Sequence, residues 1–258
     1  MITFSYKLNY IINTHRKVFI SFLFLLFSLH MQAQDYFLKN QKTFSRVNIA
    51  FQEKEDLLKN EFSKKGLHFP PNKIILVSYK AEGELQVWVK EGLGYQLFKV
   101  YDVCRKSGDF GPKRKQGDRQ VPEGIYKINV FNPNSNYHLS LGVSYPNRSD
   151  RILSNALDLG GDIYIHGGCV TVGCLPMTDE LMQEVYVLSL LAKNNSQLDI
   201  PIYLFPFKFN KLSEYIFYKE YPQNVTFWNN LKQEYYYFKE NNNIRNYSVD
   251  SEGNYQFY

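Results

Sequence analysis

The sequence predicts a mainly β fold with flanking helices, on two observations. Of its 258 residues, 17% are aromatic, with 21 Tyr and 20 Phe, and such side chains favour strands. Four segments between residues 73 and 131 have the alternating apolar pattern of strands, with no long helical pattern between them. Because strands that follow one another directly pair as hairpins, we expect an antiparallel sheet rather than a parallel α/β architecture.

The N-terminus is typical of a secretory signal. Basic residues precede an unbroken apolar run, VFISFLFLLFSL, and Ala33 is a suitable residue before a cleavage site. The run is short for a transmembrane helix, but Met31 makes the cleavage site imperfect, so an uncleaved anchor stays an alternative. We therefore expect residues 1–33 to be a signal peptide and the protein to be exported to the periplasm or cell envelope.

Three further regions follow the leader. Residues 34–72 are expected to be a helical segment, because TFSRVNIAFQEKEDLLKNEFSKKG has apolar residues at near-helical spacing and Gly66 at the position of a left-handed cap. Residues 73–206 form the main domain. Residues 207–258 are an aromatic-rich extension with one helix expected near VTFWNNLKQEYYYFKE and no evident chemistry.

Local signals place the elements of the main domain. A turn at Glu82 and Gly83 joins the first two strands into a hairpin. MTDELMQEVYVLSLLAKNN predicts a helix capped by Thr178 or Asp179, with a buried stripe of every third or fourth residue. DIPIYLFPF is the expected last strand.

Charge excludes one class of partner. A formal net charge of +5 over the whole chain is small for a nucleic-acid-binding protein, and the aromatic residues form no nucleic-acid-binding motif. A basic cluster, Lys113 to Lys115, lies in a polar loop before the fourth strand. A solvated loop is the simplest interpretation, and contact with an acidic substrate is the alternative.

The segment HGGCVTVGC, residues 166–174, has four interpretations. A zinc site lacks a fourth ligand nearby, so we expect no metal and no cofactor. Three cysteines leave at least one thiol outside any intramolecular disulfide. A Cys169–Cys174 bond that closes a small loop is one alternative, but it would consume the reactive arrangement, so we expect Cys104 paired with Cys169 or no disulfide. A buried turn with a core histidine is the ordinary alternative to a nucleophile beside its base.

The order of residues favours the nucleophile. Cys174 precedes a predicted helix, whose N-terminus would lower the thiol pKa toward ~7. Gly173 leaves the backbone open to a carbonyl substrate, and the N–H groups of Val172, Gly173 and Cys174 are candidates for an oxyanion hole. His166, at the end of a predicted strand, is the candidate base.

The segment IHGGCVTVGCLPMTDE resembles the active-site signature of the L,D-transpeptidase catalytic domain, the YkuD-type family, in its YafK-like branch. Two further segments, GPKRKQGDRQVPEGIYKI and FNPNSNYHLSLGVSYPNRSDRIL, are similar to the same branch. The resemblance implies a β-sandwich or barrel with Cys174 as nucleophile, His166 as general base and acid, and the carbonyl of Gly167 or Gly168 orienting the histidine. Val172 and Pro176 differ from the main branch, so substrate contacts of that branch do not carry over.

The resemblance also implies the substrate. The family acts on peptidoglycan stem peptides, here through a thioester acyl-enzyme on Cys174, and Thr171, Arg114 and Tyr145 are candidate substrate contacts. Transpeptidation is the expected outcome. The alternatives are hydrolysis of the same type of bond by an L,D-endopeptidase or amidase, release of a peptidoglycan-linked protein, and a peptidoglycan-binding module without catalysis.

Overall fold

The computed structural model describes residues 36–195 and 197–258. The expected signal peptide and its cleavage site lie outside these described residues. A helical turn over residues 36–42 leads into the first long helix. Within the described part, no helix is long and apolar enough to cross a membrane.

One mixed eight-stranded sheet forms the centre of the fold. Its strands are β1 (Ile74–Tyr79), β2 (Glu84–Glu91), β3 (Gly94–Asp102), β4 (Gly124–Asn132), β5 (Ser140–Val143), β6 (Tyr164–His166), β7 (Leu175–Pro176) and β8 (Ile200–Phe205). Their spatial order is β3-β2-β1-β8-β4-β5-β6-β7. The β1–β8 and β6–β7 pairs are parallel and the other pairs are antiparallel. The mainly β prediction is confirmed, but the sheet is mixed rather than antiparallel.

The local predictions for the first strands are confirmed. β1 and β2 form the expected hairpin, and Gly83 adopts the left-handed conformation that its turn needs, with φ +68°. The predicted last strand is β8, yet it lies in the middle of the sheet between β1 and β4. Its central position explains why it is buried along nearly its whole length.

Beyond the helical segment at residues 36–42, five α-helices with full bounds flank the sheet within the described residues. They are α1 (Ser45–Lys64), α2 (Arg148–Leu153), α3 (Asp179–Asn194), α4 (Lys211–Glu220) and α5 (Val225–Asn241), and the strands β9 (Tyr247–Val249) and β10 (Tyr255–Phe257) follow as a hairpin. α1 ends as predicted, because Gly66 is left-handed and Leu67 N–H donates to the carbonyl of Phe62 at 3.0 Å. Thr178 caps α3.

The sheet separates two hydrophobic cores. On one face, α1 and α3 pack together, and the segment from Met182 to Ala192 is buried on all sides because α3 lies beneath α1. On the other face, the C-terminal extension covers the sheet with an aromatic cluster that includes Phe207, Trp228 and Tyr235. Successive residues of β1 belong alternately to the two cores, because neighbouring side chains of a strand point to opposite faces of the sheet.

A buried polar contact joins the C-terminal extension to the loop before β4. The carboxylate of Glu123 is fully buried and accepts hydrogen bonds from Trp228 Nε1 at 2.7 Å and from Gly111 N–H at 2.9 Å. Lys80 Nζ lies 3.2 Å from the same carboxylate. The extension therefore supports the loop over residues 103–123, which reaches the cysteine segment.

Candidate active site

His166 is the last residue of β6 and is almost fully buried. Its Nδ1 lies 2.6 Å from the carbonyl oxygen of Gly167. Because a carbonyl only accepts hydrogen bonds, Nδ1 carries a proton, and Nε2 of the neutral ring is left as a proton acceptor. Burial lowers the pKa of His166 below its usual value, and the hydrogen bond to Gly167 opposes that shift only in part. The ring is therefore neutral at pH 7.

Cys174 directly precedes β7, is half-buried and is the one cysteine outside a disulfide. Its Sγ donates to the carbonyl oxygen of Asp162 at 3.4 Å. Burial raises the pKa of the Cys174 thiol. The expectation of a thiol activated by a helix N-terminus is wrong, because β7 and Met177 separate Cys174 from the start of α3.

Both residues line one cleft of about 260 Å³. One wall is the connection between β4 and β5, including Asn132, Ser135, Asn136 and Tyr137. The Tyr137 ring lies against the His166 ring, with centroids 4.8 Å apart. A protonated thiol and a neutral imidazole at one cleft are the components that general-base activation of a nucleophile requires.

Side-chain hydroxyls hold the cysteine segment. Thr171 Oγ1 accepts from Cys174 N–H and donates to its carbonyl, both at 2.9 Å. The N–H of Gly173 donates to Ser107 Oγ at 2.6 Å. Two of the three N–H groups expected to form an oxyanion hole, those of Gly173 and Cys174, therefore donate hydrogen bonds to hydroxyls. The third belongs to Val172, a residue exposed to solvent. Thr171 itself braces the loop through both of these contacts.

Gly173 is required by its surroundings. Its φ is +100°, and a Cβ atom there would lie 3.1 Å from the carbonyl oxygen of Gln120. Any side chain would be strained at this φ and would press on the loop that carries Ser107. The glycine thus lets the cysteine segment and the loop over residues 103–123 approach each other.

The structure pairs Cys104 with Cys169, with Cα atoms 5.4 Å apart. This is the pairing that the sequence left open. The bond links the end of β3 to the glycine turn after His166, and it leaves Cys174 as a free thiol. Cys104 N–H also donates to the carbonyl of Pro176 at 2.9 Å, so the same loop contacts both sides of the cysteine.

Two candidate substrate contacts have structural partners instead. Arg114 Nη1 lies 2.7 Å from the buried carboxylate of Asp150, and its guanidinium stacks over Phe227 at 4.9 Å. Tyr145 is buried and its hydroxyl donates to the carbonyl of Leu159 at 3.1 Å. Neither lines the cleft that holds Cys174 and His166. Their contacts favour packing roles, and the polar groups beside His166 and Cys174 come from the β4–β5 wall and from Asp162 and Tyr164.

Sequence patterns gave no functional role to two residues that shape the site. Arg46 of α1 donates to the carbonyl oxygens of Ser135 and His138, which holds the cleft wall in place. Asp179 accepts from Gly168 N–H at 2.9 Å. The only sequence signal for Asp179 was its position at a helix start, and an exposed arginine on an amphipathic helix carries no signal for Arg46.

Within residues 36–195 and 197–258, no three His, Cys, Asp or Glu side chains are gathered so that they could hold a metal ion. The thiol and imidazole are instead partnered by backbone carbonyls, from Asp162 and Gly167.

Comparison with known proteins identifies what the chain is similar to. Residues 72–195 match the YkuD family model, the L,D-transpeptidase catalytic domain. YafK of Escherichia coli (strain K12), a candidate L,D-transpeptidase, is 33% identical over 168 residues, which are 63% of this chain and 65% of YafK. The chain thus spans somewhat less than two thirds of the length of that relative.

Two solved structures share a more distant likeness. The helical cell shape determining protein Pgp2 of Campylobacter jejuni is 20% identical with a TM-score of 0.42, covering 53% of this chain and 49% of Pgp2. Bd1075 of Bdellovibrio bacteriovorus is 19% identical with a TM-score of 0.38, covering 53% and 48%. The family match and the identity to YafK agree on one class of domain: residues 72–195 are similar to the L,D-transpeptidase catalytic domain of the YkuD type.

Proposed function

We propose that this protein is an exported, cysteine-dependent L,D-transpeptidase that acts on peptidoglycan stem peptides through a thioester on Cys174. The main support is that a free thiol and a neutral imidazole, whose Nδ1 proton is directed at Gly167, line the same cleft. The family of residues 72–195 supports the reaction class and the peptidoglycan substrate.

In the first half-reaction, His166 Nε2 takes the thiol proton as Cys174 Sγ attacks the carbonyl carbon of the L-residue in the L,D bond. The tetrahedral adduct collapses when His166 gives that proton to the leaving nitrogen, and the D-amino acid departs. A thioester remains on Cys174. In the second half-reaction an acceptor amine attacks the thioester, His166 takes its proton, and the proton returns to the sulfur.

The two pKa directions decide how the thiol is activated. Burial raises the pKa of Cys174 and lowers that of His166, so the resting pair at pH 7 is thiol and neutral imidazole rather than thiolate and imidazolium. Proton transfer must then accompany attack, which makes the position of His166 decisive. If water replaces the acceptor amine, the same residues carry out hydrolysis.

The test is incubation of the purified protein with muropeptides that carry tetrapeptide stems. Cross-linked dimers are the expected product, and intact-protein mass spectrometry should show an acyl adduct on Cys174. Trimmed monomers would indicate a hydrolase, and unchanged muropeptide bound to the protein would indicate a binding module.

Matched variants tie the result to the proposed nucleophile. Cys174→Ala should abolish both turnover and adduct. The double variant Cys104→Ala, Cys169→Ala removes two other sulfur atoms and should keep Cys174 acylation. Turnover by Cys174→Ala would overturn the proposed mechanism.

A further inference from the structure

The peptide group between Gly167 and Gly168 is hydrogen-bonded at both ends to ionisable side chains. Its carbonyl oxygen accepts from His166 Nδ1 at 2.6 Å. Its N–H donates to Asp179 Oδ1 at 2.9 Å. A single amide therefore lies between the candidate base and a carboxylate.

The two glycines are needed for this arrangement. A Cβ atom on Gly167 would collide with Oδ1 of Asp179, and it would also lie 2.9 Å from Cβ of His138. Gly168 has φ +68°, a backbone conformation that residues other than glycine rarely adopt. Asp179 is fixed on its own side as the first residue of α3, directly after the Thr178 cap. The turn is therefore shaped so that the carboxylate reaches the amide.

Resting on the proposed function, we propose that Asp179 is a positioning residue that acts on His166 through the Gly167–Gly168 peptide group. In a planar trans amide the N–H and C=O dipoles are aligned, so a carboxylate at the N–H end increases the negative charge on the oxygen. The more negative oxygen binds the Nδ1 proton more strongly and stabilises the imidazolium formed when Nε2 takes the thiol proton. Only that thiol proton moves: Nδ1 keeps its proton and Asp179 stays ionised.

Other charged groups near Asp179 define the controls. His138 Nδ1 lies 3.8 Å from Asp179 Oδ2, and its Nε2 is buried without a hydrogen-bond partner. Glu180 is the next residue of α3. Hydrogen bonds from its own backbone N–H and from the Thr178 side chain lower the pKa of its carboxyl, with smaller contributions from the charges of Lys54 and His138. Asp179 is about half exposed, so solvent screens its charge at long range, and the effect depends on the direct hydrogen bond.

The experiment measures the rate at which iodoacetamide alkylates Cys174 as a function of pH, which needs no muropeptide substrate. Asp179→Ala should lower this rate about tenfold, the lower end of what a hydrogen bond to a charged group contributes. Asp179→Asn keeps an oxygen acceptor but loses the charge. The alkylation rate should therefore fall less in Asp179→Asn than in Asp179→Ala. Glu180→Gln removes one negative charge from the same helix turn without touching Gly168, and its rate should stay within about twofold of the wild type.

Two further readouts separate positioning from a general structural effect. In ¹⁵N NMR spectra, Asp179→Asn should lower the pKa of His166 and weaken its preference for the Nδ1–H tautomer. In a His166→Ala background, Asp179→Ala should have no further effect on alkylation, because its route to the thiol is gone.

The outcomes are distinguishable. If His166→Ala leaves alkylation unchanged, the Cys174–His166 pair itself fails and the proposed function falls with it. If His166→Ala slows alkylation while Asp179→Ala does not, or if Glu180→Gln slows it equally, only the role of Asp179 is overturned.

Discussion

The two ends of the segment over residues 166–174 are held in different ways. His166 is fixed by backbone, because it belongs to β6 and its ring is bound to the next carbonyl along the chain. Cys174 is held largely by side chains, through the hydroxyls of Thr171 and Ser107 and the disulfide of the neighbouring loop. Strand pairing persists while the sheet is intact, whereas a hydroxyl can change partner by a side-chain rotation. The base is therefore preorganised, and the nucleophile segment can adjust.

The largest expected effect is at the backbone-held end. His166→Ala should lower the rate of Cys174 acylation by ~10²–10⁴, because general-base catalysis supplies about that factor. It should also remove the acid limb of the pH profile. In the wild type this limb should lie below pH ~6.5, since burial lowers the pKa of His166 and only the neutral ring accepts the proton.

The check is kcat/KM for muropeptides between pH 4 and 9, with His68→Ala as the matched control. His68 is exposed, pairs with Glu91 and does not line the cleft, so its loss should leave the pH profile unchanged. If the acid limb persists in His166→Ala, it arises from the titration of another group.

An intermediate effect is expected at the disulfide beside the side-chain-held end. Cys104→Ala with Cys169→Ala should lower the free energy of unfolding by about 4 kcal/mol, the chain-entropy value for a loop of 65 residues. Urea unfolding monitored by tryptophan fluorescence measures this change. Cys174→Ala is the control and should change stability far less, because its thiol makes only weak hydrogen bonds, with backbone groups of Asp162 and Tyr164. Equal stability of the double variant and the wild type would show that the bond does not constrain the loop.

The smallest effect is expected at Ser107. It tests whether the cysteine segment can change its hydrogen-bond partners. Ser107→Ala frees the N–H of Gly173, so acylation should become about threefold faster if that N–H receives the oxyanion, since a neutral hydrogen bond is worth ~0.5–1.5 kcal/mol. Thr171→Val removes both bonds that hold Cys174 and should instead slow acylation. Single-turnover kinetics compare the two. A loss in Ser107→Ala as large as that in Thr171→Val would mean that both hydroxyls only brace the loop.

Several features of the site were out of reach of sequence patterns. The expected helix N-terminus at Cys174 failed because two residues of β7 pair with β6 before α3 begins, and so short a strand has no detectable period. The sequence places Arg114 in a polar loop with no charged partner marked by a local pattern. Its ion-pair partner, Asp150, lies 36 residues further along the chain. The role of the aromatic extension depends on Trp228 meeting Glu123, 105 residues away.

By itself the sequence determined the elements whose signals are local: the alternating strands, the Gly83 turn, the Gly66 helix end, and a cysteine eight positions after a histidine in a glycine-rich segment. Tertiary structure alone decided which hydroxyls hold the cysteine, which way each pKa moves, and that Asp179 reaches the amide beside His166. The physical reason is range. Backbone conformation and side-chain period act over a few residues, whereas burial and hydrogen-bond partners depend on segments that only folding brings together.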